Sequence, residues 1–365
     1  MAPWRVFVRR GSPATGALLR RFDPAQSHAA KRCRTVVGNA LLSRDILLRH
    51  AVDFYDDLIL ANTKEDDNMA FQSDKQHPIV PREKLDFGLD DPSIPKYWFG
   101  GDAFKTRFFD AMSLIFPPGE KFFMVTVRDF RDQISDPKLL QDIKDFNRQE
   151  AQHSLVHNQY NDVLRKQGMP VDQLIGWLDQ LLFDKYRSRH SRQYTLAITG
   201  ALEHFTALGA HAMFDDRDIM GAAHPKVRAM YAWHAIEEVE HKGVAYDVMI
   251  DYAKVGYFKR VGALIHATFM FPYVILKFAN AMLKADGFGF FERLKLNAKG
   301  IWWLLKPGGF AAPLHKHYVQ YYKPGYHPWQ ETEQPGYDEW LRGFAKHQDP
   351  VEASELMRAD LAAAR

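Results

Sequence analysis

Two long amphipathic segments of the sequence each carry a Glu-x-x-His motif where a helical protein would bury apolar side chains. Helix periodicity places Glu150 and His153 in the middle of one apolar face, and Glu238 and His241 in the middle of another. Burying these groups without a partner costs roughly several kcal/mol per ion. The motifs therefore predict a compensating metal cation, which constrains the fold more than any other feature of the chain.

Carboxylate and imidazole three residues apart share one helix face, so each motif can bind one metal ion. A third apolar face carries Glu203, and Glu120 follows Pro117-Pro118-Gly119. We expect Glu120 in the first turn of a helix that begins near Pro118, where the helix dipole favours an anion. The order Glu, Glu-x-x-His, Glu, Glu-x-x-His is the plan of four-helix di-iron and di-manganese proteins. The sequence thus predicts an all-α, ferritin-like four-helix bundle with a dinuclear metal site and extra C-terminal helices.

From residue 84 onward the hydrophobic pattern is helical, and no stretch alternates as a strand would. Proline and glycine separate the segments. The predicted helices are Asp102–Phe116, Pro118–Ile134, Pro137–Lys166, Val171–Tyr186, Tyr194–Phe214, Pro225–Ala253, Arg260–Lys284 and Phe291–Leu305.

Other polar residues lie beside the predicted ligands. His157 and Tyr160 continue the face that carries Glu150 and His153, and are candidates to contact the ligands from outside; simple helix packing is the alternative for His157. Glu237 and Glu240 flank the last motif off the core face, where they are either solvated or in contact with a ligand.

The single cysteine, Cys33, excludes an internal disulfide and any metal site built from several thiolates. The predicted donors are therefore oxygen and nitrogen, a set that favours two ions of iron, with manganese or zinc as alternatives.

Charge divides the chain unevenly. Residues 1–50 carry ten Lys/Arg and two Asp, whereas the remainder is mildly acidic, which argues against nucleic acid as a partner. We expect residues 1–77 to be a disordered basic extension, residues 78–340 the metal-binding domain and residues 341–365 a tail. The extension has the composition of an organelle transit peptide. The alternative is that it precedes the natural start of translation in a bacterial, cytoplasmic protein.

Three segments of the body resemble the bacterial family known as predicted metal-dependent hydrolases: Phe116-Pro-Pro-Gly-Glu120-Lys-Phe-Phe123, Gln149-Glu-Ala-Gln-His153 and Gly325-Tyr-His-Pro-Trp329. The ligand pattern also resembles the di-iron N-oxygenases that oxidise p-aminobenzoate. In those enzymes a further histidine precedes the last Glu-x-x-His by one turn. That resemblance implies that His234 is a third histidine ligand.

The two resemblances imply different reactions. A dinuclear centre can activate dioxygen to oxidise a hydrophobic small molecule, or it can hydrolyse an ester with a metal-bridged hydroxide. A non-catalytic metal-binding role is a third reading. We favour oxidation, which requires an electron-donor protein; a second copy of the chain is another candidate partner.

A long apolar segment follows the predicted ligands. Val261–Leu283 has few polar residues and is either a buried helix that covers the bundle or an interfacial helix at a membrane. In the second reading Trp302 and Trp303 lie at the level of the lipid headgroups. The chain is then cytoplasmic but in peripheral contact with a membrane.

Overall fold

Helices form the regular structure of the computed structural model, which describes residues 77–215, 217–331 and 335–363. The predicted extension lies outside these residues, except for its last position. The described chain contains no strand beyond one isolated bridge between Phe99 and Ala223. The main helices are α1 (Ala103–Arg128), α2 (Pro137–Lys166), α3 (Val171–Asp179), α4 (Arg192–Phe214), α5 (Pro225–His241), α6 (Tyr257–Ala285), α7 (Phe290–Leu305), α8 (Tyr337–His347) and α9 (Pro350–Ala363). The predicted all-α class is confirmed.

Local sequence signals fix where three of these helices begin. Asp102 accepts a hydrogen bond from the Lys105 backbone N–H at the start of α1, and Ser191 caps α4 through the Tyr194 N–H. Asp136 caps α2, which has a proline in its first turn. These side chains satisfy N–H groups that have no partner inside the helix.

Four helices carry the predicted ligands and contact one another in a closed ring. Helix α1 packs against α2 and α4, and α5 packs against the same two helices. The core lies inside this ring, where apolar side chains such as Leu114, Phe146, Leu196 and Val227 are fully buried. Each helix thus has one face directed at a common interior.

Helix α1 differs from the two separate helices that the sequence predicted for this region. The sequence suggested a break before Pro118, yet the helix runs through Pro117 and Pro118 without interruption. Pro117 lacks an N–H and cannot bond to the Ser113 carbonyl in the preceding turn. The Asn161 side-chain amide donates to that carbonyl instead, with 3.2 Å between nitrogen and oxygen. Glu120 therefore lies inside a long helix, and the predicted contribution of the helix dipole is wrong.

Helix α5 is shorter than the sequence suggested, because it ends at His241 and not at Ala253. A turn at Lys242 and Gly243 follows, and then short helical segments Val244–Asp247 and Val248–Tyr252. A Cβ at Gly243 would lie only 2.5 Å from Trp329 Nε1, so a side chain there would displace the indole.

The C-terminal residues depart from the predicted tail. Helix α8 begins before residue 341, and α9 packs against both α8 and α5. Trp340 and Ala353 are fully buried in this region. Residues 341–363 consequently extend the core around α5.

Helices α6 and α7 lie outside the ring. α6 packs on α1 and α4, and α7 packs on α6 and α1. By length and hydropathy α6 is the one described helix that could cross a membrane, with a third of its most apolar window buried, although core helices pass the same test. Trp303 packs against Phe99 and Phe310, while Trp302 is exposed, so only one of the two tryptophans points outward.

Candidate metal centre

The seven predicted ligands meet inside the ring of helices, and none is more than 4% exposed. α1 supplies one, α2 two, α4 one and α5 three. They are Glu120, Glu150, His153, Glu203, His234, Glu238 and His241.

The carboxylates of the two Glu-x-x-His motifs lie between the imidazoles of the same motifs. Glu150 Oε2 is 3.7 Å from His153 Nδ1, and Glu150 Oε1 is 3.8 Å from His241 Nε2. Glu238 Oε1 is 3.8 Å from each of the same two nitrogens. The ring centres of His153 and His241 are 6.0 Å apart. Each carboxylate thus lies close to both motif histidines.

The other three ligand candidates lie at the ends of this cluster. Glu203 Oε2 is 3.2 Å from His241 Nδ1 at one end. At the other end His234 Nε2 is 2.9 Å from Glu238 Oε1, and its ring stacks on His153 with centres 4.0 Å apart. Three overlapping groups of donor atoms are close enough to share ions: Glu120–His153–His234, His153–Glu238–His241 and Glu150–Glu203–His241.

Many donor atoms of the cluster have no hydrogen-bond partner among the described residues. They are Glu120 Oε1, both Glu150 oxygens, Glu203 Oε1, Glu238 Oε2, both His153 nitrogens and His241 Nε2. A buried polar atom without a partner requires an explanation, since it costs about 1–3 kcal/mol or more. A metal cation satisfies oxygen and nitrogen lone pairs together, so the donor set fits one.

Without a cation the carboxylates repel one another. Burial, followed by repulsion from Glu203 and Glu238, raises the pKa of Glu150 well above 4.5. Burial raises the pKa of Glu203 to about 7. Burial lowers the pKa of His241, but Glu238 and Glu203 outweigh it and bring that pKa to about 9. Burial and mutual repulsion thus oppose ionisation of these carboxyl groups, and a cation would favour their charged forms.

A further buried carboxylate lies beside His153 Nε2. Glu237 Oε2 lies 3.2 Å from His153 Nε2. The Trp233 indole and the Arg82 guanidinium both donate to the other oxygen of Glu237, at 2.9 and 3.2 Å. Glu237 Oε2 and His153 Nε2 are close without forming a hydrogen bond, and His153 Nδ1 faces Glu150 Oε2 at 3.7 Å. A carboxylate in this position is typical of metal-binding histidines.

Arg82 joins Glu237 to a second buried carboxylate, Glu240. Arg82 Nη2 donates to Glu240 Oε1 at 2.7 Å, and Gln149 and Tyr337 donate to the same carboxylate at 2.7 and 2.9 Å. Both glutamates are buried, so the solvated alternative for them is wrong. Glu237 touches a predicted ligand, and Glu240 supports the arginine that holds Glu237.

A chain of hydrogen bonds fixes which nitrogen of His234 carries a proton. The Asn161 amide nitrogen donates to the Ser113 carbonyl, so the Asn161 oxygen accepts from the Ser113 hydroxyl at 2.9 Å. The hydroxyl oxygen therefore accepts from His157 Nδ1 at 3.0 Å, and His157 Nε2 accepts from His234 Nδ1 at 2.8 Å. His234 Nε2 lies 2.9 Å from Glu238 Oε1, and a neutral ring with its proton on Nδ1 would offer Nε2 to a cation at this position.

His157 therefore contacts a predicted ligand directly and is more than a packing residue. Burial, with the neighbouring His234, holds the pKa of His157 well below 6.5, which keeps its ring neutral as the hydrogen-bond chain requires. Tyr160 belongs to a different network, because its hydroxyl donates to Asp110 Oδ1 at 2.7 Å. Ser154 donates to Glu120 Oε2 at 2.6 Å.

Sequence reasoning missed several residues that support the cluster. Arg82 lies far from the motifs in sequence, and nothing in its surroundings marks it. Trp233 precedes Glu237 by four residues, a helical spacing that would have suggested the contact. The set comprises Arg82, Ser113, Gln149, Ser154, Asn161 and Trp233.

A narrow apolar pocket adjoins the cluster between α1, α3, α4 and α6. Glu120, Thr206 and Glu238 are its polar lining residues. The apolar lining comes from Ile115, Phe116, Phe123, Leu178, Leu182, Leu202, Met270, Phe271 and Val274. The pocket thus brings an apolar surface to two predicted ligands.

Comparison with known proteins gives one match. The family described as "predicted metal-dependent hydrolase" matches residues 81–332, which include the ring of helices and all seven predicted ligands. No curated protein and no solved structure matches the chain. Since the match covers more than half of the sequence, this chain belongs to the predicted metal-dependent hydrolase family.

Proposed function

We propose that the seven clustered side chains hold two metal ions. Glu120, His153 and His234 bind one ion, and Glu203 and His241 bind the other. Glu150 and Glu238 would be shared by the two ions, because each lies within 3.8 Å of both motif histidines. The unpartnered donor atoms are the observation that carries this proposal.

The donor chemistry favours iron. Four carboxylates and three imidazoles are hard to borderline ligands, and four negative charges suit two cations in higher oxidation states. Manganese and zinc accept the same donors and are the alternatives. The site offers no thiolate that would select copper(I) or an iron–sulfur cluster.

The substrate we infer is a hydrophobic small molecule. Phe116, Phe123, Leu202 and Phe271 line the pocket beside Glu120, and none of its lining residues is a Lys, Arg or His. An anionic substrate would enter such a pocket without a counter-charge and would lose its hydration. An apolar molecule would instead bury its surface there, close to the proposed metal pair.

The reaction we favour is oxidation by dioxygen. A bound metal pair would supply the reduction of dioxygen. One oxygen atom enters a C–H or N–H bond, and the other leaves as water with two electrons from a donor protein and two protons. Phe116 and Phe123 form part of the apolar wall of the pocket. His157 Nε2 accepts from His234 Nδ1, and Glu237 lies 3.2 Å from His153 Nε2.

Hydrolysis is the second candidate, and the comparisons favour it because the family description names a hydrolase. A bound metal pair would supply an activated hydroxide for the hydrolysis of an ester or a phosphoester. Thr206 is the one neutral hydrogen-bonding side chain in the pocket lining available to a substrate oxygen.

Metal substitution separates the two reactions. The iron-loaded protein, reduced with dithionite and mixed with dioxygen, should consume oxygen in proportion to its iron and form a transient coloured species. The zinc-loaded protein should show no turnover of p-nitrophenyl octanoate or bis(p-nitrophenyl) phosphate. Glu203→Gln, which removes a ligand, is the inactive control.

Anaerobic ester turnover with zinc, and no oxygen uptake with iron, would establish hydrolysis and contradict our preference. A protein that binds metal and shows neither reaction would contradict both and favour a metal-binding role.

A further inference from the structure

Helices α6 and α7 together carry an unusual density of exposed apolar side chains. Of thirteen large hydrophobic side chains exposed in the described residues, ten lie on these two helices. Phe269 is 74% exposed, Phe291 80% and Trp302 65%. The remaining seven are Phe258, Ile265, Tyr273, Phe290, Leu294, Ile301 and Leu305. We call these ten residues the α6–α7 face. Clusters of this kind mark interaction surfaces, whereas isolated exposed hydrophobics do not.

The exposed residues of α7 follow helix periodicity. Phe291, Leu294, Ile301 and Leu305 recur at intervals that keep them on one side. The opposite side packs on α1, where a Cβ at Gly300 would lie only 2.1 Å from the Phe104 ring. Helix α7 thus lies flat on the bundle and turns an apolar stripe outward.

Positive charge borders this stripe. Lys295 and Lys299 are exposed on α7, one turn apart, beside the apolar positions. Between residues 257 and 306 the sequence has eight Lys/Arg and two Asp/Glu. An apolar stripe with a basic border matches the acyl region and anionic headgroups of a lipid surface. It matches a second copy of the same basic face poorly, because like charges would meet.

We propose that the α6–α7 face docks on the surface of an anionic phospholipid bilayer. Phe269, Phe291 and Trp302 enter the interfacial region, and Lys295 and Lys299 contact lipid phosphates. Helix α6 does not cross the membrane, because its opposite side is buried against α1 and α4 through Ala263, Leu264, Ala267 and Phe278.

Docking in this orientation would also let a substrate pass from the bilayer into the pocket. This part of the inference rests on the proposed function. Met270 and Phe271 line the pocket beside the metal centre, whereas Phe269 and Tyr273, their neighbours on α6, belong to the exposed face. One helix therefore separates the pocket from the lipid. A molecule dissolved in the bilayer would reach Glu120 and Glu238 past α6 without crossing bulk water.

Vesicle flotation of the full-length protein tests docking without reference to turnover. The protein should float with phosphatidylcholine–phosphatidylserine vesicles and more weakly with phosphatidylcholine alone, whether or not its metal has been chelated. The triple variant Phe269→Gln, Phe291→Gln, Trp302→Gln should bind at least about tenfold more weakly, because each side chain buries apolar area in the interface. Leu155→Gln is the matched control, because Leu155 is an exposed apolar residue on α2, away from the α6–α7 face. This variant should bind as the wild type does.

A charge variant tests the basic border. Lys295→Gln with Lys299→Gln should weaken binding to phosphatidylserine vesicles by about fivefold per lysine at low salt. Circular dichroism should show all variants folded. No flotation of the wild type, or equal flotation of the triple variant, would overturn the proposal. So would light scattering that finds a dimer converted to a monomer by the triple variant, since a second copy would then cover the face. If the wild-type protein floats with the vesicles but shows no turnover, the proposed function is refuted and the docking proposal stands.

Discussion

Two buried ionic clusters on helix α1 differ in one respect. Around Arg107 every charge has a partner: the guanidinium binds Asp110 at 2.6 Å and both oxygens of Asp286 at 2.8 Å. Trp98 and Tyr160 complete the Asp110 carboxylate at 2.9 and 2.7 Å. The candidate metal centre, farther along the same helix α1, has four carboxylates and many unpartnered donor atoms.

The comparison shows what distinguishes a structural ion network from a ligand site. Both clusters are buried, and both perturb the pKa values of their members. Only the second leaves lone pairs without protein partners. Burial of charge alone would identify both clusters as candidate ligand sites. The presence of unpartnered donor atoms identifies only one of them. Four predictions test this difference, from the largest expected effect to the smallest.

Asp110→Ala leaves the Arg107 guanidinium with one of its two buried counter-charges and should be strongly destabilising. We expect the free energy of unfolding to fall by about 3–5 kcal/mol, as for other broken buried ion pairs. Urea denaturation should give the same loss in the metal-loaded and the chelated protein. A loss that depended on metal would mean that the two clusters are not independent.

The stability of the chelated protein should decrease as pH rises. The pKa of Glu203 is about 7 in the folded state against 4.5 for the free side chain, so the folded state binds the proton more tightly. This contribution is complete below pH 4.5 and is lost as pH approaches 7, on the order of 3 kcal/mol. Denaturation across this range is the measurement. In the metal-loaded protein deprotonation favours ligation, and the trend should be absent or reversed.

Glu150→Gln should have opposite effects in the two forms of the protein. It removes one of several repelling carboxylates, so the chelated variant should be about 1–3 kcal/mol more stable than the chelated wild type. The metal-loaded variant should bind less metal and lose stability. If Glu150→Gln destabilised the chelated protein as Asp110→Ala does, the cluster would be an ordinary ion network.

His157→Ala should weaken metal binding by about 10–100-fold, since His157 fixes the tautomer of His234. In His157→Gln the amide oxygen can still accept from His234 Nδ1, and most of the affinity should return. Tyr160→Phe, one turn away but in the Arg107 network, is the control and should leave metal affinity unchanged. Equal metal affinity in His157→Ala and wild type would refute the positioning role.

The sequence predicted the central part of this arrangement because it depends on helix periodicity. Glu150 and His153 had to share a face with apolar residues, and the structure places them there. The helix break expected at Pro117 does not occur, because a residue from another helix compensates for the missing hydrogen bond. Asn161 donates to the carbonyl that the proline, which has no N–H, leaves without a donor. No local pattern reports such a partner.

The contacts that support the predicted ligands also fall into two classes, those that helix periodicity indicates and those that it does not. Trp233 and Glu237 are four residues apart on one helix, so their contact was accessible from spacing. Arg82 reaches Glu237 and Glu240 from an irregular segment that helix periodicity does not describe. Trp302 and Trp303 show the limit of composition, because adjacent residues on a helix face different directions and only Trp302 is exposed.

Metal stoichiometry tests the central claim most directly. Elemental analysis of the purified full-length protein, loaded with iron and freed of excess metal, should give two ions per chain. Glu150→Gln should lower this value, and Tyr160→Phe should leave it at two. A wild-type protein that retains no metal, or a Glu150→Gln variant that retains the full complement, would contradict the assignment of these buried side chains as ligands.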